Sequence, residues 1–243
     1  MYCDVKRSRL LVLGLAAAVL LSSCSLLFRY REVAHKGLDA DDFGLPVILY
    51  KSENPATNKM VILLSGDGGW LDFNDELAEE FSKKGYNTIG FNSRTYFWQQ
   101  RTPEETSRDL NKLIAKYARL WKAKRIILSG YSFGADVIPF VYNRMPDNLK
   151  RHVSALQLMS PFLSTDFKVV FTDLIKTGKD NRTYKVKNEV ARIRIPIYCF
   201  YGENEDPKPL INIRKKNFLT KLVKGGHEYV DAVPLIVSSL SIK

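Results

Sequence analysis

From residue 43 onward the chain alternates short apolar runs with longer amphipathic ones. The runs 47–50, 60–64, 86–91, 125–129, 155–160, 196–201 and 217–223 are of strand length and are bounded by turn residues. They are nearly continuous in apolar character, as expected for strands covered on both faces of a parallel sheet. Helical spacing lies between them. Asp72 is placed to cap a helix that buries Leu77, Ala78 and Phe81 and stops at Gly85. Thr102 and Glu105 have capping-box spacing with Pro103 at the first helical position. Leu110, Leu113, Ile114, Tyr117, Leu120 and Trp121 then share one helical face, and the aromatics among them read as core. Strand and helix alternating in this way predict an α/β sheet with right-handed crossovers. Residues 161–194 break the rhythm with eight basic and four acidic residues, and read as an insertion over the strand ends, where such sheets bind ligands.

The N-terminus follows a different pattern. Lys6, Arg7 and Arg9 precede twelve uncharged residues from Leu10 to Leu21, too few to span a bilayer comfortably but suited to a signal-peptide core. The run ends in Leu21-Ser22-Ser23-Cys24, which resembles a bacterial lipobox. The expectation is a signal peptide over 1–23, lipidation at Cys24, a tether over 24–42 and a folded domain over 43–243. That arrangement anchors the protein to a membrane in the periplasm or cell envelope. Of three cysteines, Cys3 leaves with the signal, Cys24 carries lipid and Cys199 remains in an apolar run, so no internal disulfide is expected.

The 243 residues suffice for one sizeable core, and 45% hydrophobic content excludes a disordered chain. The formal charge is +11, and residues 1–23 hold three bases and one acid, so +9 remains without them. Such a surface is drawn to anionic lipid or another acidic partner, or is simply well solvated. Neither an RNP aromatic pair nor zinc-ligand spacing occurs, and no nucleic-acid partner, metal or cofactor is called for.

The chemistry centres on Gly130-Tyr131-Ser132-Phe133-Gly134, which follows the run 125–129 and opens a helical pattern. In strand–turn–helix context, Gly-x-Ser-x-Gly is the nucleophile elbow of the α/β-hydrolase fold: the glycines permit a turn too tight for side chains, and the serine hydroxyl stands above the sheet. A serine hydroxyl needs a base. His35 lies in the tether and His152 follows Lys150-Arg151 ahead of a strand, which leaves His227, in Gly225-Gly226-His227-Glu228 after the last strand. The triad acid falls between serine and histidine, after the run 196–201. In Gly202-Glu203-Asn204-Glu205-Asp206-Pro207, Asp206 is the first candidate and Glu205 the alternative, with Glu203 a solvated loop residue. Oxyanion donors are expected from the N–H of Phe133 and from Ser65-Gly66-Asp67-Gly68-Gly69-Trp70, at Asp67 or else Gly68. Trp70, Tyr131 and Asp136 are candidate substrate-binding residues. The glycine-rich loop lacks the lysine of a P-loop, which argues against nucleotide hydrolysis.

Two of these stretches, Ser65-Gly66-Asp67-Gly68-Gly69-Trp70 and Gly130-Tyr131-Ser132-Phe133-Gly134-Ala135-Asp136-Val137-Ile138-Pro139, together with Gly225-Gly226-His227, resemble the family of the bacterial virulence proteins VirJ and AcvB. The similarity runs from about Met60 to the C-terminus. It includes Pro139, which should kink the helix after the nucleophile. It implies a periplasmic α/β hydrolase. AcvB-type members are associated with hydrolysis of lysyl-phosphatidylglycerol and VirJ-type members with a type IV secretion system. Three readings are therefore carried forward. The first is a serine hydrolase cleaving an aminoacyl ester of a membrane lipid. The second is a carboxylesterase or peptidase of the same fold, and the third a noncatalytic binding protein of a secretion apparatus.

Overall fold

A computed structural model describes residues 34–169 and 182–241. The expected signal peptide, Cys24 and the middle of the 161–194 insertion lie outside the described residues.

The chain runs β1 (Leu38–Asp42), β2 (Leu45–Tyr50), β3 (Lys59–Leu64), α1 (Asp72–Lys83), β4 (Asn87–Phe91), α2 (Ser93–Tyr96), α3 (Pro103–Leu120), β5 (Arg125–Tyr131), α4 (Phe133–Asn143), α5 (Asp147–Lys150), β6 (Val153–Met159), β7 (Ser164–Thr165), β8 (Tyr184–Lys185), α6 (Val186–Arg192), β9 (Ile197–Gly202), β10 (Phe218–Val223) and α7 (Val233–Ser238). Eight strands form one sheet in the order β1-β2-β4-β3-β5-β6-β9-β10. β2 is antiparallel to both β1 and β4, and the remaining pairs are parallel. β7 and β8 pair antiparallel in a separate two-stranded ribbon.

The continuous apolar runs arise because both faces of the sheet are covered. In β3, Met60, Ile62 and Leu64 pack into one core with Leu110, Ile114 and Val137 of α3 and α4. Their neighbours Val61 and Leu63 face a second core with Leu77 and Phe81 of α1 and Ile236 of α7. α3 opens on the expected capping box: the Thr102 hydroxyl accepts from the Glu105 N–H at 3.1 Å, and the Glu105 carboxylate accepts from the Thr102 N–H at 2.9 Å. α4 runs through Pro139 without ending.

Two expectations need correction. Residues 38–42, read as tether, form edge strand β1 in register with β2 from Leu38↔Leu49 to Asp42↔Leu45. Its sequence, LDADD, hides this because an edge strand facing water needs backbone pairing more than apolar side chains. Asp72 is the first residue of α1, and Leu71 holds the cap position.

The corner between β5 and α4 leaves no room for side chains at its two glycines. Ser132 has φ +53°. A Cβ on Gly130 would lie 2.4 Å from the Gly134 carbonyl oxygen, and one on Gly134 would lie 2.5 Å from that of Leu64. Backbone cannot yield as a side chain end can, so Gly134→Ala should destabilise the protein by about 2–3 kcal/mol. Urea unfolding checks this, and an unchanged midpoint would show that the corner has slack.

Candidate active site

Three loops at the carboxyl ends of β5, β9 and β10 bring together groups far apart in sequence. Strain at the elbow raises Ser132 out of the strand, and its N–H donates to the Met159 carbonyl of neighbouring β6 at 2.7 Å. The loops after β9 and β10 meet where neither has a side chain: a Cβ on Gly202 would stand 2.0 Å from the Gly226 carbonyl oxygen. Gly225 turns at φ +103°. That approach sets the imidazole of His227 between a hydroxyl and a carboxylate. Nε2 lies 3.0 Å from Ser132 Oγ, and Nδ1 lies 2.9 Å from Glu205 Oε1.

The carboxylate at His227 is thus Glu205, not Asp206. Glu205 is buried while Asp206 points to solvent. The Glu205 N–H donates to the Gly202 carbonyl at 3.1 Å. This turn directs position 205 inward and position 206 outward, and the longer glutamate stem reaches the ring. Oε2 of Glu205 accepts from the Gly202 N–H at 3.0 Å and from the Ser160 hydroxyl at 2.6 Å. Ser160 lies in turn 2.8 Å from the Tyr229 hydroxyl. Neither Ser160 nor Tyr229 was singled out in the sequence, where a serine ending a strand and a tyrosine two places after a histidine carry no motif.

The loop after β3 borders the nucleophile: a Cβ on Gly66 would touch Ser132 Cβ at 3.4 Å. Asp67 is half-buried, and burial pushes its carboxyl pKa up, opposed by the charge of His227. Phe133 is the first residue of α4, so its N–H has no partner within the helix.

The three candidate substrate-binding residues differ in placement. Trp70 is 1% exposed. Its indole fills the notch left by Gly90, where a Cβ would lie 2.5 Å from the ring, and its N–H donates to the Tyr50 hydroxyl at 3.0 Å. It belongs to the core and is closed to a ligand. Asp136 is fully buried, and its Oδ1 accepts from the Phe162 N–H at 2.6 Å, so it braces the loop after β6 rather than facing a substrate. Tyr131 remains at the site: its hydroxyl donates to the His227 carbonyl at 2.8 Å and its ring lies 5.5 Å from the imidazole. The other histidines are remote in role. His35 pairs with exposed Asp39 at 3.2 Å, and His152 lies beside the Arg151 guanidinium.

The sequence profile of the family described as bacterial virulence protein (VirJ) matches residues 58–240. No curated protein matches the sequence. Solved structures do resemble the fold. Est1E from Butyrivibrio proteoclasticus superposes with a TM-score of 0.60 at 15% identity, over 84% of this chain and 95% of that one. Esterase 2 from Thermogutta terrifontis, in a structure phosphoramylated by tabun, gives 0.56 at 17%, over 87% and 95%. An alpha-beta serine hydrolase homologue from Coxiella burnetii gives 0.57 at 14%, over 86% and 99%. The fold is that of the α/β hydrolases, as the elbow motif predicted.

The carboxyl of Asp136 generates a pH prediction. Burial raises its pKa well above the ordinary carboxylate range, and its Oδ2 has no hydrogen-bond partner among the described residues. A carboxyl whose pKa is raised by folding contributes most below its unfolded pKa, and that contribution is lost as pH rises through the folded pKa. Asp136→Asn removes the titration. The urea midpoint of the variant should gain on wild type between pH 4.5 and pH 8, and a constant difference would contradict the assignment.

Proposed function

The chain belongs to the VirJ family of bacterial virulence proteins, and from that premise we propose that it is a serine ester hydrolase working through Ser132, His227 and Glu205. The observation that carries this reading is the continuous hydrogen-bonded line from Ser132 Oγ through both ring nitrogens of His227 to Glu205 Oε1, set on a strained elbow. Glu205 holds the tautomer in which Nδ1 carries the proton, leaving Nε2 free to accept one. Ser132 Oγ attacks the ester carbonyl as its proton passes to Nε2. The imidazolium then returns that proton to the leaving alcohol. Water, activated by the same nitrogen, releases the acyl group.

The negative oxygen of the tetrahedral intermediate would lie against the Phe133 N–H, with Asp67 and Gly68 as the second source of donors. The half-buried carboxyl of Asp67, in the loop that borders the nucleophile, would meet a cationic acyl group such as a lysyl ester. This supports an aminoacyl phosphatidylglycerol as substrate, with an envelope lipoprotein anchored at Cys24 as the setting that presents it. A second reading, a general carboxylesterase, draws support from the structural neighbours that are named as esterases.

Hydrolysis of p-nitrophenyl butyrate tests the roles. Ser132→Ala and His227→Ala should abolish turnover. Glu205→Gln should lower kcat on the order of 1000-fold or more, whereas Asp206→Asn should stay within about twofold of wild type. A loss at Asp206 with Glu205 silent would overturn the assignment. Vesicles containing lysyl-phosphatidylglycerol decide the substrate: free lysine should appear with wild type and not with Ser132→Ala. Ester cleavage without lysine release would favour the carboxylesterase reading.

A further inference from the structure

The carboxylate of Glu205 is gripped by more than His227, and the grip continues into residues that the hydrolytic scheme does not use. We propose that Ser160 and Tyr229 are positioning residues for Glu205, forming a relay of hydroxyls that fixes the plane of its carboxylate and, through it, the tautomer of His227. The kinetic consequence rests on the hydrolase reading above; the structural one does not.

Ser160 is fully buried at the end of β6 and has φ +51°, a conformation that costs a non-glycine residue of order 1 kcal/mol or more. Its N–H donates to the Phe200 carbonyl of β9 at 2.8 Å, which ties the turn to the strand that leads into the Glu205 loop. The hydroxyl thus aimed lies 2.6 Å from Glu205 Oε2 and 2.8 Å from the Tyr229 oxygen.

Counting protons orders the chain. An ionised carboxylate only accepts, so the single Ser160 hydrogen goes to Glu205. Ser160 cannot then also donate to Tyr229. The Tyr229 hydroxyl is therefore a donor, either to Ser160 Oγ or to the Phe200 carbonyl, 3.0 Å away. Each oxygen of the carboxylate consequently has its own partners: Oε1 has His227, and Oε2 has Ser160 and the Gly202 N–H. Rotation about the last side-chain bond would break all three. The ring of Tyr229 is itself held edge-on to Phe73 at 5.5 Å and to Tyr131 at 5.9 Å, and Tyr131 binds the His227 carbonyl. Acid and base are thus referenced to the same aromatic cluster.

The test uses the full-length protein with Ser160→Ala and Tyr229→Phe, both of which remove a hydroxyl while nearly preserving shape. Long-range proton–nitrogen NMR of the imidazoles at pH 8, with His227 assigned by loss of its signals in His227→Ala, reports the tautomer directly. Wild type should show Nδ1 protonated, Ser160→Ala a mixture of tautomers, and Tyr229→Phe a smaller shift the same way. Wild-type tautomer populations in both variants would overturn the proposal. Turnover of p-nitrophenyl butyrate supplies the second reading. Ser160→Ala should lower kcat about 10- to 100-fold, as for loss of a hydrogen bond to a charged group, with KM within about twofold. In a Glu205→Gln background the same change should cost nothing further. A full additional loss there would mean general damage and would also overturn it. Tautomers that shift as expected in a protein that cleaves no ester would support the relay while removing the hydrolase reading.

Discussion

An imidazole works as a base toward serine only while something holds its other nitrogen, and in this protein that holding force is the contact between His227 Nδ1 and Glu205 Oε1 at 2.9 Å. The surrounding architecture can be understood as what that contact requires. Glu205 leaves β9 and His227 leaves β10, adjacent parallel strands whose ends emerge side by side. Their loops close to a distance that excludes a side chain at Gly202. The hydroxyl must then arrive from a third strand, β5, in the middle of the sheet. It does so by accepting a positive φ at Ser132 and two glycines packed against backbone. The two apolar cores on either face of the sheet make such strain affordable, because they fix the strand ends from which the loops depart.

Charge around the nucleophile is arranged in two layers. Glu205 is surrounded by donors: an imidazole, a hydroxyl and a backbone N–H. Asp136 and Asp67 are treated differently. Burial raises both pKa values, strongly for Asp136, whose single described donor comes from Phe162. A desolvated carboxyl favours its proton, whereas the donors around Glu205 fix the direction of its two oxygens, so neighbouring acids are separated in role by their surroundings. Asp136 then supports the loop that carries Phe162 against the imidazole, 6.0 Å away. Asp67 stays half-buried in the loop that borders the nucleophile.

Much of this was legible in the sequence, for reasons that also explain the omissions. Strands covered on both faces appear as uninterrupted apolar runs, and seven of the sheet's strands were located to within about two residues. β1 was not, because Asp39, Asp41 and Asp42 belong to an edge strand that needs only backbone pairing. Ser132 and His227 were visible through an elbow motif and a shortage of histidines. The choice between Glu205 and Asp206 was not, since adjacent residues in a turn point opposite ways and only the Gly202–Glu205 hydrogen bond decides which faces inward. Trp70 looked accessible in a glycine-rich loop, yet Gly90, twenty residues on, leaves the space that buries it. Ser160 and Tyr229 gain their role only when β6, β9 and the loop after β10 come together in space.

The central claim is that Ser132 is a nucleophile made reactive by His227. Peptide mass spectrometry after treatment with a fluorophosphonate measures this without assuming a substrate. The account predicts a single phosphonyl adduct on the peptide containing Ser132, formed rapidly by the native protein and not by one lacking the His227 ring. An unmodified Ser132, or an adduct that forms equally well without His227, would contradict it.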